Sequence, residues 1–177
     1  MMSAGDVVTV LNQLEAAQVQ TWLDGGWGVD ALLGRETRPH DDLDLVVARA
    51  DASMVVTALT VLGFTHASDV EPGLPARLVL RDRADRRVDL HLVVFDGAGN
   101  GWQQLSDRAW DLYPSEGLCG AGTVADKVVN CLTAELQLRH HLGYAWDDND
   151  SHDMLLLVEQ YGLLVPPPFW PIKLDRH

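Results

Sequence analysis

Two carboxylates at alternate positions of one extended run, Asp42 and Asp44 in Asp42-Leu43-Asp44-Leu45-Val46-Val47, have the types and spacing to do chemistry. On a strand, residues two apart face one side, so Asp42 and Asp44 point together while Leu43 and Leu45 point into a core. Carboxylates about 6–7 Å apart along a strand repel each other unless a cation lies between them. Hard oxygen donors with no nearby thiolate select magnesium-like ions, which share carboxylates with substrate phosphates. Asp89 stands in a second such run, Arg87-Val88-Asp89-Leu90-His91-Leu92, where Val88, Leu90 and Leu92 alternate inward and Asp89 shares the other face with His91. An unpaired buried carboxylate is costly. Beside the Asp42/Asp44 strand, Asp89 would complete a three-carboxylate cluster, bridging a metal and accepting the proton of an attacking hydroxyl, a role worth about 10²–10⁴ in rate. The competing reading is an edge-strand Asp paired with Arg86 or Arg87.

Just upstream, Trp22-Leu23-Asp24-Gly25-Gly26-Trp27-Gly28-Val29-Asp30 reads as a short strand, a glycine pair and the start of a helix that Gly34 ends. At such a junction the backbone N–H groups are unpaired and the helix dipole is positive, which suits a phosphate. Glycines there let a bulky anion approach the main chain. A Gly-Gly pair alone is usually a turn, and a lone Asp-x-Asp is usually a solvated face. The two in this order, within residues 25–44, make a phosphate cradle followed by a metal shelf, which points to phosphoryl or nucleotidyl transfer.

The elements that must position these groups follow from periodicity and punctuation. An amphipathic helix is expected over 4–20, a first strand over Val19 to Asp24, and a second helix over Ala50 to Leu62 with Gly63 at its end. Short strands are expected at Phe64 to His66 and Arg77 to Leu80, with a turn at Glu71 to Pro75 between them and a flexible turn at 96–101. Residues 103–110 give no assignment. Gly120 to Ala125 matches the dinucleotide fingerprint G-x-G-x-x-A, but Asp126-Lys127 and Val128 to Cys131 read as a turn and a strand, so the segment is a β-hairpin. Thr133 caps a helix running to about His141. An acidic, aromatic loop at 143–150 leads to a last helix from His152 to Tyr161, capped by Asp150 or Ser151 and ended by Gly162. Pro166 to Pro171 is an extended tail.

At 177 residues the chain is one domain, or one with a small appendage. No apolar run approaches membrane-spanning length, and Met1 to Asp6 lacks the features of a leader. Two cysteines, Cys119 and Cys131, are too few for a disulfide framework, so a cytoplasmic location is expected. Thirteen Lys and Arg against 26 Asp and Glu, a net charge of −13, disfavour a nucleic-acid partner and favour a small cationic substrate. The six tryptophans leave open an apolar interface in a homodimer or a drug pocket. No Walker P-loop, H-E-x-x-H, G-x-S-x-G or paired C-x-x-C occurs.

The blocks W-L-D-G-G-W-G-V-D at 22–30, H-D-D-L-D-L at 40–45, V-D-L-H at 88–91, C-L-T-A-E-L-Q-L-R-H-H-L-G-Y at 131–144 and D-S-H-D-M at 150–154 resemble the small antibiotic nucleotidyltransferases of the polymerase-β superfamily. The sequence is most similar to the short lincosamide nucleotidyltransferases and shares its first block with the aminoglycoside enzymes. The resemblance implies an α/β (α+β) nucleotidyltransferase core over 1–115, a mixed sheet with helices packed on one side. A C-terminal hairpin and helices over 116–177 would contribute to the substrate side. It implies transfer of AMP from ATP to a drug hydroxyl with Mg²⁺ and release of pyrophosphate. Asp42, Asp44 and Asp89 would be metal ligands, with Asp89 also the base. Gly25, Gly26 and Trp27 would lie against the triphosphate, with Arg38 and His40 assisting. Tyr144, Trp146, Asp150 and Asp153 would belong to the antibiotic side. Three other readings stand beside this one: an aminoglycoside substrate, a toxin–antitoxin enzyme acting on protein or tRNA, and a domain that binds nucleotide without turnover.

Overall fold

The computed structural model describes residues 1–67, 75–142 and 144–165. The expected turn at 71–75 (Pro75 excepted), Gly143 and the tail at 166–171 lie outside the described residues. Helix α1 (Ala4–Ala16) starts on a capping box in which Ser3 and Asp6 bond each other's backbone. It ends four residues before the expected limit, because Gln18 takes a left-handed φ of 59° and turns the chain into β1 (Thr21–Asp24). Helix α2 (Gly25–Leu33) follows at once and stops on Gly34 at φ 68°. Strand β2 (Asp42–Ala48) leads through a 3₁₀ turn at 49–51 into α3 (Ala52–Val61), two residues later than expected.

Strands β3 (Thr65–His66), β4 (Arg77–Arg81) and β5 (Arg87–Phe95) come next. The stretch without a sequence assignment forms the hairpin of β6 (Gly101–Gln104) and β7 (Trp110–Tyr113). The hairpin read at 120–131 is β8 (Gly120–Val124) and β9 (Lys127–Cys131), turning on Ala125 and Asp126, both at positive φ. Helix α4 (Ala134–His140) is capped by Thr133. Helix α5 (Asp148–Tyr161) starts earlier than expected. Asp147 is its N-cap, while Asp150 is the third helical residue, reaching back to the Asp147 N–H.

The sheet is mixed, in the order β3-β4-β5-β2-β1-β9-β8, with β6 and β7 extending from the far end of β5. Strand β2 runs parallel to β5 and antiparallel to β1, and β9 joins β1 in parallel through Leu23 and Cys131. One face carries Leu23, Leu43, Leu45, Val88 and Leu90, packed under α1 and α3. Each fully buried Leu there contributes roughly 1.5–3 kcal/mol. On the opposite face Trp22, Val46 and Val93 pack with Tyr113, Leu118 and Leu136, and Trp22 Nε1 donates to Leu118 O at 2.6 Å. A third cluster joins Val29 of α2 to Leu138 of α4 and Met154 and Leu157 of α5. The 116–165 segment therefore shares both its sheet and its packing with what precedes it.

Candidate active site

The face opposite α1 and α3 holds the polar residues. Asp24 pairs with Asp44 across β1 and β2, and Asp44 pairs with Asp89 across β2 and β5, so three carboxylates stand in one row on three adjacent strands. Asp42 is one step along on the same face, opposite Arg87. The structure thus brings Asp89 directly across from Asp44. His91, on the Asp89 face, joins them: one donor atom each from Asp44, Asp89 and His91 lie within 4.8 Å of one another. His91 Nε2 is 3.6 Å from Asp44 Oδ1.

This donor set fits a divalent cation. Two carboxylates and an imidazole converge from neighbouring strands, and the acids strain against one another. Burial, and after it the charge of Asp44, raises the Asp42 carboxyl above its usual range, with Arg87 opposing. Burial alone would lower the His91 imidazole, but its bond to Asp44 and the charges of Asp24, Asp44 and Asp89 outweigh it and hold it at about 9.

Asp89 has a partner other than the two arginines expected. Arg77, brought alongside by the antiparallel β4–β5 pairing, lays its guanidinium on both carboxylate oxygens, with Nε at 2.9 and 2.8 Å. Arg86 binds Asp82 and Asp6 instead.

The glycine bend lies beside this row. Asp24 Oδ1 accepts the Gly25 N–H at 2.8 Å and caps α2. Gly25 sits at φ +55°, and a Cβ on it would run into the Asp44 carboxylate. A Cβ on Gly26 would run into the His40 ring and lie 2.7 Å from Arg38 Nη2. His40 Nε2 donates to Asp30 Oδ2 at 2.5 Å, and its ring packs on Trp27 at 4.7 Å between centroids. Asp30 also receives the Thr37 N–H and hydroxyl, so the 35–40 link is fastened to α2.

The four residues expected on the acceptor side are not gathered with the Asp44 group. Asp153 is buried and bonds Arg38 at 2.9 and 2.6 Å, tying α5 to the glycine bend. Asp150 completes the α5 capping box and receives the Tyr144 hydroxyl at 3.4 Å. Trp146 Nε1 donates to His141 O at 2.6 Å, and its ring packs against the α2–α4–α5 cluster. Tyr144 is exposed.

Sequence reasoning missed a polar track that starts at His91. Gln103 is buried, with Nε2 at 3.2 Å from Ala76 O and 3.3 Å from His91 Nδ1, and its Oε1 accepts the Tyr113 hydroxyl at 3.1 Å. The Tyr113 ring meets His140 edge-on at 4.5 Å. Burial, aided by Asp24 and Asp111, raises the Tyr113 phenol, and burial lowers the His140 imidazole. The only local signal was the buried Gln103 alternating with exposed Trp102.

The glycine bend thus leads from a mixed sheet into a helix, with a row of carboxylates beside it. The sequence profile of the aminoglycoside-2''-adenylyltransferase family matches residues 6–157, and the chain belongs to that family. It is a nucleotidyltransferase of the antibiotic-modifying class. It is 27% identical over 145 residues to a lincosamide resistance protein of Staphylococcus haemolyticus, covering 82% of this chain and 88% of that one. It is 26% identical over 174 residues to a 2''-aminoglycoside nucleotidyltransferase of Klebsiella pneumoniae, covering 94% and 80%. It superposes on the lincomycin-bound crystal structure of the lincosamide antibiotic adenylyltransferase LnuA with a TM-score of 0.76 and 25% identity, covering 88% and 96%.

Proposed function

We propose that this chain moves AMP from ATP to a hydroxyl of a lincosamide, with Mg²⁺ and with release of pyrophosphate. The observation that carries the reading is the register of Asp44 against Asp89 on one sheet face, beside the Gly25 bend, in a chain similar to a lincosamide resistance protein. The acceptor oxygen attacks the α-phosphorus. The bond from that phosphorus to its bridging oxygen breaks, and pyrophosphate leaves with the bonding electrons. Asp89, held in one orientation by Arg77, takes the hydroxyl proton.

Asp44 and Asp89, whose oxygens converge, and Asp42 one step along the same face are the residues that would hold Mg²⁺, and the bound ion would supply charge neutralisation at the leaving group. Gly25, Gly26 and Trp27 receive the triphosphate at the positive end of α2. Arg38 and His40 back that surface, each fixed by a carboxylate. Tyr144 and Trp146 belong to the acceptor side, while Asp150 and Asp153 hold α5 in place for them. Among the described residues no helix is long and apolar enough to cross a membrane; the location proposed for the enzyme, where ATP is supplied, is the cytoplasm.

The test is incubation with ATP, Mg²⁺ and lincomycin, read by mass for the gain of one AMP. Asp42→Asn and Asp89→Asn are expected to abolish the adduct while the circular dichroism spectrum stays unchanged. An adduct on an aminoglycoside with none on any lincosamide would move the assignment to the second substrate class, which the family match and the Klebsiella relative favour.

A further inference from the structure

Four carboxylates are buried among the described residues: Asp24 at 6% exposure, Asp30 at 2%, Asp89 at 4% and Asp153 at 3%. Three of them have a basic side chain in contact. His40 serves Asp30, Arg77 serves Asp89 and Arg38 serves Asp153. Asp24 has none within 4.0 Å among the described residues. Its Oδ1 accepts the Gly25 N–H, and its Oδ2 accepts no hydrogen bond there. In a folded protein a carboxylate this little exposed is ordinarily paired with a counter-cation.

Asp24 does not belong to the group of donor atoms formed by Asp44, Asp89 and His91. It stands at the opposite end of their row, where β1 passes into α2. It shares the sheet face of Asp44, Asp89 and His91, and its charge helps hold the His91 imidazole above its usual range. Asp111 of β7 already has Arg139 and His140 at 3.7 Å. Asp150 and Asp153 are committed to the α5 cap and to Arg38.

We infer that Asp24 is the specificity residue for the acceptor, supplying the carboxylate with which the acceptor's basic amine pairs. The inference rests on the antibiotic-transfer reading above and adds to it the side chain that recognises the amine. The acceptor's cation then fills the place of the missing counter-ion, and its hydroxyl is delivered along the row, past Asp44, to Asp89. Because Asp24 also caps α2, amine recognition and the phosphate-facing helix end are coupled through one side chain.

The experiment measures Kd by tryptophan fluorescence, in the presence of Mg²⁺ and a non-hydrolysable ATP analogue. The probes are N-demethyllincomycin and its neutral N-acetyl amide. An AMP-transfer assay with ATP runs in parallel, and an aminoglycoside and its N-acetylated form serve as the second pair. Wild-type protein is expected to bind the amine at least about tenfold more tightly than the amide, the weight of one charge-assisted contact. Asp24→Asn keeps the oxygen that caps Gly25, and is expected to erase that preference. Equal wild-type affinity for amine and amide, with AMP transfer intact, overturns this inference alone and needs no variant. A weakened apparent affinity for Mg²⁺ in Asp24→Asn, with amine preference retained, also overturns it by assigning Asp24 to the metal. A chain that binds and modifies neither acceptor pair overturns this inference and the transfer reading together.

Discussion

Both oxygens of Asp89 are taken up by the Arg77 guanidinium, so the carboxylate is buried, charged and fixed in one orientation before any substrate arrives. Removing the arginine leaves the charge without its partner. Arg77→Met is therefore expected to cost about 1–3 kcal/mol in a urea titration, toward the low end because Arg77 is 37% exposed and its charge is screened. Arg77→Lys is expected to regain part of that stability but not kcat, since an ammonium cannot reproduce the two-pronged grip. Unchanged kcat in both variants would show that the orientation of Asp89 does not matter to the reaction. The glycines allow a second comparison. Gly25 and Gly34 both have positive φ, so alanine at either is expected to cost about 1–2 kcal/mol from the backbone. Only Gly25→Ala also pushes a Cβ into Asp44, whereas at Gly34 the nearest atom is Thr123 Oγ1 at 3.6 Å. A larger loss in thermal midpoint for Gly25→Ala than for Gly34→Ala, with activity lost only in Gly25→Ala, is the expected result. The Asp42/Asp44 parity and the glycine bend were legible because both are set by neighbours within a few residues. Arg77 was not, because its approach to Asp89 depends on the antiparallel register of β4 against β5, and no local spacing encodes that.

The same division holds for elements. The β8–β9 hairpin could be told from a dinucleotide-binding loop because Asp126-Lys127 and Val128 to Cys131 read as a turn and a strand, and in the structure Ala125 and Asp126 take the left-handed turn between the two strands. The β6–β7 hairpin could not be read, since its inward-facing side includes the polar Gln103, satisfied by His91, Ala76 and Tyr113 from other parts of the chain. The start of α5 was displaced because Asp147, Asp148, Asp150 and Ser151 are all capable caps. Only the structure selects Asp147, through its reciprocal bonds with Asp150. Helix α5 also reaches the glycine bend through Asp153 and Arg38, and this changes what a substitution there should do. If Asp153 worked by touching the acceptor, Asp153→Asn would raise the acceptor's KM. Because its carboxylate instead fixes Arg38 beside Gly26, the expected effect is a higher KM for ATP with the acceptor's KM little changed. Steady-state kinetics with each substrate varied in turn distinguishes the two.

Across the whole molecule, the acids that serve the reaction act against the fold that carries them. A net charge of −13 is self-repelling, and the repulsion is concentrated where Asp42, Asp44 and Asp89 share a sheet face. For Asp42 the sign is explicit. Its folded-state carboxyl is raised by burial and by Asp44, so the ionised form is less favourable in the fold than in the open chain. The group thus lowers stability as pH rises through its shifted value. In EDTA at neutral pH, Asp42→Asn is expected to melt at a higher temperature than wild type, although it cannot support transfer. Added Mg²⁺ should reverse the order, because an ion that binds only the folded site stabilises it by about 2.7 kcal/mol at a hundredfold excess over Kd. For a chain of this length that is a rise of roughly 5–10 °C in Tm. NaCl at matched ionic strength screens the general repulsion and gives both proteins the same smaller increment. Scanning calorimetry of the two proteins in EDTA, NaCl and MgCl₂ separates these contributions. A Mg²⁺-specific gain in wild type that persists undiminished in Asp42→Asn would place the ion away from this carboxylate.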